Sequence, residues 1–127
     1  MFTWVRSSGS GMTLTISSGA LTLSSSAAAH FQHVRYVMVG IDKENGRVAL
    51  RPILRRVQEQ GTIPADALYR ISIGKGYARV TSKSVIRQLS EAFGRPFDHV
   101  RCPAYYDEEE DMLIARITDE GDRKSVV

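Results

Sequence analysis

The sequence predicts an α+β, β-rich fold built from two diverged copies of one strand–strand–helix–hairpin unit. The first observation is an internal repeat: residues 19–26 can be aligned with 76–83, and His-Val-Arg at 33–35 returns at 99–101. The second is the order of elements, because each copy opens with two short β-type segments around a glycine turn. With 127 residues, the chain has room for one compact domain in which both copies share a core.

The first copy begins with two β-type segments joined by a turn at Ser18-Gly19. Ser24 or Ser25 can then open a short helix, because a serine oxygen accepts hydrogen bonds from the free amides of the first helical turn. Asn45-Gly46 tolerates positive φ and predicts the turn of a closing hairpin. The predicted elements are strands over 13–16 and 20–23, a helix over 27–31, and hairpin strands over 36–41 and 47–51.

The second copy has the same order, with a longer helix and an acidic hairpin turn. Thr81 or Ser82 can open the helix, and Gly94 ends it. The predicted elements are strands over 71–73 and 77–80, a helix over 84–93, and a hairpin that turns at 107–111. Residues matched between the two hairpins include Arg47-Val48-Ala49-Leu50-Arg51 and Met112-Leu113-Ile114-Ala115-Arg116.

The predicted organisation is a flexible arm at 1–11, one domain at 12–118 and a polar tail at 119–127. The domain consists of repeat 12–53, connector 54–68 and repeat 69–118. Strand alternation and the apolar stripe of the second helix predict a shared core. Its expected members are Leu14, Ile16, Leu23, Val37, Val39, Val48, Leu50, Ile73, Val80, Ile86, Leu89, Leu113 and Ile117.

The charge, hydrophobicity and cysteine content of the chain limit the classes of protein to which it can belong. The formal net charge is +3, with basic residues in the body and acidic residues near the end, which suits a nucleic-acid binder and equally an ordinary soluble protein. No apolar run reaches the length of a membrane helix, so no membrane partner is expected. Cys102 is the only cysteine, so an intrachain disulfide is excluded and a cytoplasmic location is predicted.

This pattern resembles the AbrB/MazE/SpoVT swapped-hairpin superfamily. Arg79-Val80-Thr81, followed by Lys83 and by Ile86-Arg87-Gln88-Leu89, is similar to the strand-into-helix signature of that family, and 45–52 is similar to its closing strand. Both copies carry serines where the family has a proline at the helix entrance. Two tandem copies in one chain resemble the MraZ arrangement. The resemblance implies one swapped-hairpin, barrel-like domain and the activity of a DNA-binding transcriptional regulator.

The candidate DNA-binding residues are Lys75, Arg79, Lys83 and Arg87. Lys83 and Arg87 are four apart on the predicted helix and therefore share a face. Lysine and arginine can neutralise phosphates, which supplies most non-specific DNA affinity. The alternative is an ordinary solvated face. The first copy has Thr22, Ser26 and His30 at the positions of Arg79, Lys83 and Arg87. The positive charge of the predicted surface is therefore almost entirely on the side of the second copy.

Other chemistries have less support. Gly74-Lys75-Gly76 lacks the spacing of a phosphate-binding loop, so no nucleotide cofactor is predicted. His30 with His33, and His99 with Cys102, could supply metal ligands, but the repeat already accounts for the recurrence of His33 and His99. No metal is therefore predicted. No nucleophile signature accompanies the histidines, so no catalytic residue is assigned and the protein is expected not to be an enzyme.

Self-association is the remaining expectation. Tyrosines at 36, 77, 105 and 106 and open strand edges predict exposed apolar surface, which commonly becomes an interface. A homodimer or higher assembly is expected. The alternative function is therefore a non-enzymatic oligomerising or protein-interaction module.

Overall fold

Strands dominate the computed structural model, which describes Met1 and residues 11–117. The strands are β1 Thr13–Ile16, β2 Ala20–Leu23, β3 Tyr36–Asp42, β4 Arg47–Ile53, β5 Tyr69–Arg70, β6 Ser72–Gly74, β7 Tyr77–Thr81, β8 Val100–Asp107 and β9 Met112–Arg116. The α-helices are α1 Ser25–Ala28, α2 Arg55–Glu59 and α3 Lys83–Phe93. Short 3-10 turns cover Ala29–Phe31 and Ala65–Ala67. The predicted arm and tail fall largely on residues 2–10 and 118–127, which lie outside the described residues.

The strands form a single antiparallel sheet in the order β5-β3-β4-β9-β8-β1-β2-β7-β6. Its two end strands are consecutive in the chain, because only Ile71 separates β5 from β6. β5 pairs with β3, whereas β6 pairs with β7. The Ile71 amide also donates to the Arg35 carbonyl, at 2.9 Å. Residues 69–74 therefore join both ends of the sheet into a nearly closed barrel, and the fold is a strand-rich α+β fold.

Around this sheet, hairpin pairs of strands that are close in sequence alternate with pairs of strands that are distant in sequence. The hairpin pairs β1–β2, β3–β4, β6–β7 and β8–β9 lie within one side of the connector. The pairs β1–β8, β2–β7, β3–β5 and β4–β9 cross from one side to the other. The two parts of the chain are consequently interleaved through the whole sheet.

The core fills the barrel and agrees with strand alternation at most predicted positions. Inward residues of β1, β2, β4 and β7 are almost fully buried, as are Phe31 and Leu89. Val39 and Ile117 are partly buried and pack against this cluster. Ile73 is 38% exposed, so its prediction as a core residue is wrong. It lies on β6, an end strand of the sheet order, next to a glycine turn, where burial is incomplete.

The two predicted helix starts have different chemistry. The Ser82 hydroxyl accepts from the Val85 amide at 3.2 Å and caps α3, as predicted. Gly94 ends α3 in the left-handed conformation, with φ of 64°, which glycine adopts without strain. Ser24 occupies the corresponding position at α1 but makes no cap hydrogen bond. Its hydroxyl instead accepts from the Thr13 amide at 2.9 Å, so it anchors β1.

Within the described residues, no helix is both long enough and apolar enough to span a membrane.

Candidate nucleic-acid interface

A shallow groove of about 510 Å³ runs across the outer face of β8, β1, β2 and β7. Its polar lining comes from strands that are distant in sequence, together with the residue that precedes β8. The main contributors are Thr15, Thr22, Arg79, Thr81, His99 and Arg101. The groove is therefore a product of the interleaved sheet and is not formed by any continuous segment.

Strand register places four of these side chains in one row. Arg101 pairs with Thr15, Thr15 with Thr22, and Thr22 with Arg79. Side chains that are directly opposite on neighbouring strands share a face of the sheet. Adjacent strands are about 4.8 Å apart, so the two arginine Cα atoms are separated by about 14 Å, with two threonine hydroxyl groups between them.

Both arginines of the row are exposed, and neither forms an ion pair with a carboxylate in the described part of the chain. The Arg79 guanidinium lies 5.7 Å from the centre of the Tyr77 ring, a cation–π contact on the same outer face. Tyr77 in turn folds over Gly74, where a Cβ atom would overlap its ring. Glycine at position 74 is thus required for this position of Tyr77, whose side chain remains 42% exposed.

His99 borders the groove in an unusual backbone conformation. Its φ is 62°, in the left-handed region that residues other than glycine seldom adopt. This turn precedes β8 and brings His99 to the groove beside Arg101. The preceding residue, Asp98, is also exposed and carries a carboxylate.

The four predicted cations do not form one cluster. Arg79 lines the groove, and Lys75 lies in the exposed turn before β7. Lys83 and Arg87 are exposed on α3, which begins after β7. β7 has five residues and is roughly 16 Å long, so the turn and the helix are at its opposite ends. Among the described residues, none of these four has a carboxylate partner.

Sequence reasoning missed Arg101 and His99 as groove residues. Both belong to the His-Val-Arg segment that the internal repeat had already identified. Strand alternation opposite the buried Cys102 would have placed Arg101 on the outer face. Its pairing with Thr15 depends on the contact between β1 and β8, which only the folded chain provides.

The residues considered as metal ligands have other surroundings. The His30 ring stacks on Tyr106, with centroids 4.0 Å apart. Burial raises the pKa of the Cys102 thiol to about 11, which disfavours the thiolate that binds metals. Over residues 11–117, no three His, Cys, Asp or Glu side chains are arranged to hold a metal ion.

Comparison with known proteins yields no relative: no family model matches the chain, and no curated protein or solved structure matches it.

Proposed function

We propose that this chain is a DNA-binding protein of the transcription-regulator type and that its groove face contacts the duplex. The observation that carries the proposal is the row Arg101, Thr15, Thr22 and Arg79, with a cation at each end and hydroxyl groups between. Arginine and threonine side chains are common partners of phosphate oxygens. The proposed role is non-enzymatic, needs no cofactor and keeps the predicted cytoplasmic location.

The spacing of the row suits a duplex. The two arginine Cα atoms are separated by about 14 Å, comparable to the roughly 12 Å width of the major groove of B-DNA. Arg79 and Arg101 can therefore each reach a phosphate on opposite sides of one groove. Tyr77 is exposed beside Arg79 and adds an aromatic surface to the same face. Lys75, Lys83 and Arg87 extend the positive charge beyond the two ends of β7 and provide further phosphate contacts.

The architecture proposed with this function is a pair of tandem repeats in one swapped-hairpin barrel of the AbrB/MazE/SpoVT type. Support comes from strand register. Thr22 pairs with Arg79, and Ala49 pairs with Ile114. In both pairs, the two residues are the ones that the sequence repeat aligns. Such pairs are expected where a pseudo-two-fold axis crosses a sheet, because the axis exchanges equivalent positions.

The experiment is a salt titration of binding to a fluorescently labelled duplex, followed by anisotropy. If Lys75, Arg79, Lys83 and Arg87 each neutralise a phosphate, they contribute roughly −3.6 to the slope of log affinity against log salt. Arg79→Ala and Arg101→Ala should each flatten the slope by about 0.9. Arg56→Ala is the matched control, because Arg56 is exposed, has no carboxylate partner in the described residues and lies outside the groove. It should leave the slope unchanged.

The polar tail at 119–127 needs its own control, because its three carboxylate side chains can compete with DNA for the cations. The titration is therefore repeated on the chain shortened to residue 118. If neither form binds any duplex at low salt, the proposal is wrong. If binding occurs but Arg79→Ala and Arg101→Ala behave like Arg56→Ala, DNA contacts another surface.

The alternative function, an oligomerising or protein-interaction module, has one specific observation in its favour. The outer face of β3, β4 and β9 carries a row of apolar residues along the floor of a shallow depression, Gly40, Ala49 and Ile114. This face is compatible with either function, since a DNA-binding protein can also self-associate.

A further inference from the structure

A second row of paired residues crosses the outer face of β3, β4, β9 and β8. Gly40 pairs with Ala49, Ala49 with Ile114, and Ile114 with Tyr105. All four residues are apolar or aromatic, and the first two are small. They contrast with the arginines and threonines of the groove face. We call this set the apolar row.

The apolar row forms the floor of a shallow depression of about 300 Å³. Gly40, Ala49 and Ile114 make the floor, in which Ile114 is only 4% exposed, and Met112 borders it. Tyr105, at the β8 end of the apolar row, is 49% exposed. Large apolar side chains grouped around a low floor gain free energy when a partner removes them from water.

The two ends of this face differ in charge. At one end, beyond the apolar row, Arg47 pairs with Asp42 at 2.7 Å, and Arg116 is exposed without a carboxylate partner among the described residues. At the other end, the β8–β9 turn at 107–111 carries five carboxylates. Arg51 bonds one of them, Glu110, at 3.4 Å. The face is therefore cationic at one end and strongly acidic at the other.

We infer that a second copy of this chain docks on this face through a two-fold axis that runs along the apolar row. Such an axis reverses the strand direction of the partner, so Arg116 of each copy lies against the partner's acidic turn, while the apolar rows meet at the centre. Arg47 and Arg51 come opposite each other, but each retains its own carboxylate partner. The same patch is used on both copies, as a symmetric dimer requires.

The charge pattern selects this axis over the other face-to-face arrangement. An axis parallel to the strands would place Arg116 against the partner's Arg47 if it lay between β4 and β9, and acidic turn on acidic turn if it lay between β8 and β9. Like charges placed together are unfavourable, and complementary charges fix the register of an interface. Two sheets packed face to face with nearly aligned strands are a common arrangement in proteins.

The experiment measures the mass of the full-length chain by sedimentation equilibrium at micromolar concentration. The wild-type protein should approach about 28 kDa, twice the 14.1 kDa of the chain. Ala49→Lys places a long cation on the floor of the depression and should yield monomer. Ser72→Lys is the matched control: it adds the same side chain at an exposed strand position outside this face and should leave the dimer intact.

A charge exchange tests the axis without touching the apolar floor. Arg116→Glu alone, or Glu109→Lys alone, should raise the dissociation constant roughly five- to tenfold, because each change occurs twice in a symmetric dimer. Combining both changes in one chain should restore most of the affinity. Both positions are exposed, so these variants fold even if Ala49→Lys does not.

Three outcomes overturn the inference. If the wild-type protein has a mass of 14.1 kDa throughout the concentration range, no dimer forms. A dimer that is insensitive to Ala49→Lys and to both charge changes has its interface elsewhere. A dimer that is weakened by the single charge changes but not restored by the double change has a different axis. None of these outcomes depends on whether the groove face binds DNA.

Discussion

Thr22 and Arg79 face each other across β2 and β7, and they are also the two residues that the sequence repeat aligns. The two aligned residues differ in chemistry, because Thr22 carries a hydroxyl group and Arg79 a guanidinium group. Arg101, at the far end of the same row, also lies after the connector, on β8. Both arginines of the row therefore come from the part of the chain after the connector, while the part before the connector contributes both threonines.

Ile16, at the end of β1, and Ile73, in the middle of β6, should differ strongly in their contribution to stability. Ile16 is fully buried and Ile73 is 38% exposed. Ile16→Ala should lower the free energy of unfolding by about 2–5 kcal/mol, because it leaves a cavity in the barrel. Ile73→Ala should cost less than about 1 kcal/mol. Urea unfolding followed by circular dichroism measures both values, and similar losses would mean that the burial of β6 is described wrongly.

The Asp42 carboxyl should titrate well below the usual range. A side-chain hydrogen bond from Asn45, then one from Arg47, lowers its pKa from 3.8 to about 2. Because the pKa is lower in the folded state, these contacts favour folding above pH 4, and their contribution is lost as the pH falls through about 2. NMR titration of the carboxyl carbon should show a midpoint near 2.

Asn45→Ala provides the test of the cause, because it removes the largest contribution to the shift in the pKa of Asp42. The midpoint should move upward, toward 3.8, while Arg47 still bonds the carboxylate. A wild-type midpoint near 3.8 would contradict the hydrogen bonds of this turn.

Cys102 should be almost inert in the native protein. Its side chain is buried in the core, and burial raises the pKa of the thiol to about 11. At pH 8 only about one thiol in a thousand is ionised, and the thiolate is the reactive form. Iodoacetamide should modify the native chain very slowly and the chain in guanidinium chloride quickly, as mass spectrometry would show. Fast modification without denaturant would place Cys102 at the surface.

Local signals predicted most of the elements. The Asn45-Gly46 turn, the acidic turn at 107–111 and both of the hairpins that they close are present. Ser82 and Gly94 bound α3 as their residue types predict, since capping chemistry acts within one helical turn. Each of these features depends on residues that are close in sequence, which is why the sequence alone was sufficient.

The candidate site could be predicted only in part, because it depends on long-range pairing. Lys75, Arg79, Lys83 and Arg87 were grouped because they are close along the chain, yet only Arg79 lines the groove. Arg101 joins it through the register of β1 with β8. Ser24 shows the same limit on a smaller scale: its hydroxyl bonds the Thr13 amide, eleven residues away, and not the helix that follows it.

Interleaving has a further consequence for how this chain could be divided. β1 to β4 and β5 to β9 are covalently joined only through the connector, yet the four crossing pairs bind each part to the other. Either part alone would leave open strand edges and half of the core exposed to water. A break in the connector, after Gly61, should therefore yield two fragments that are unfolded separately and assemble when mixed. In such a complex the hydrogen bonds between strands of the two fragments would replace the covalent link that the break removes.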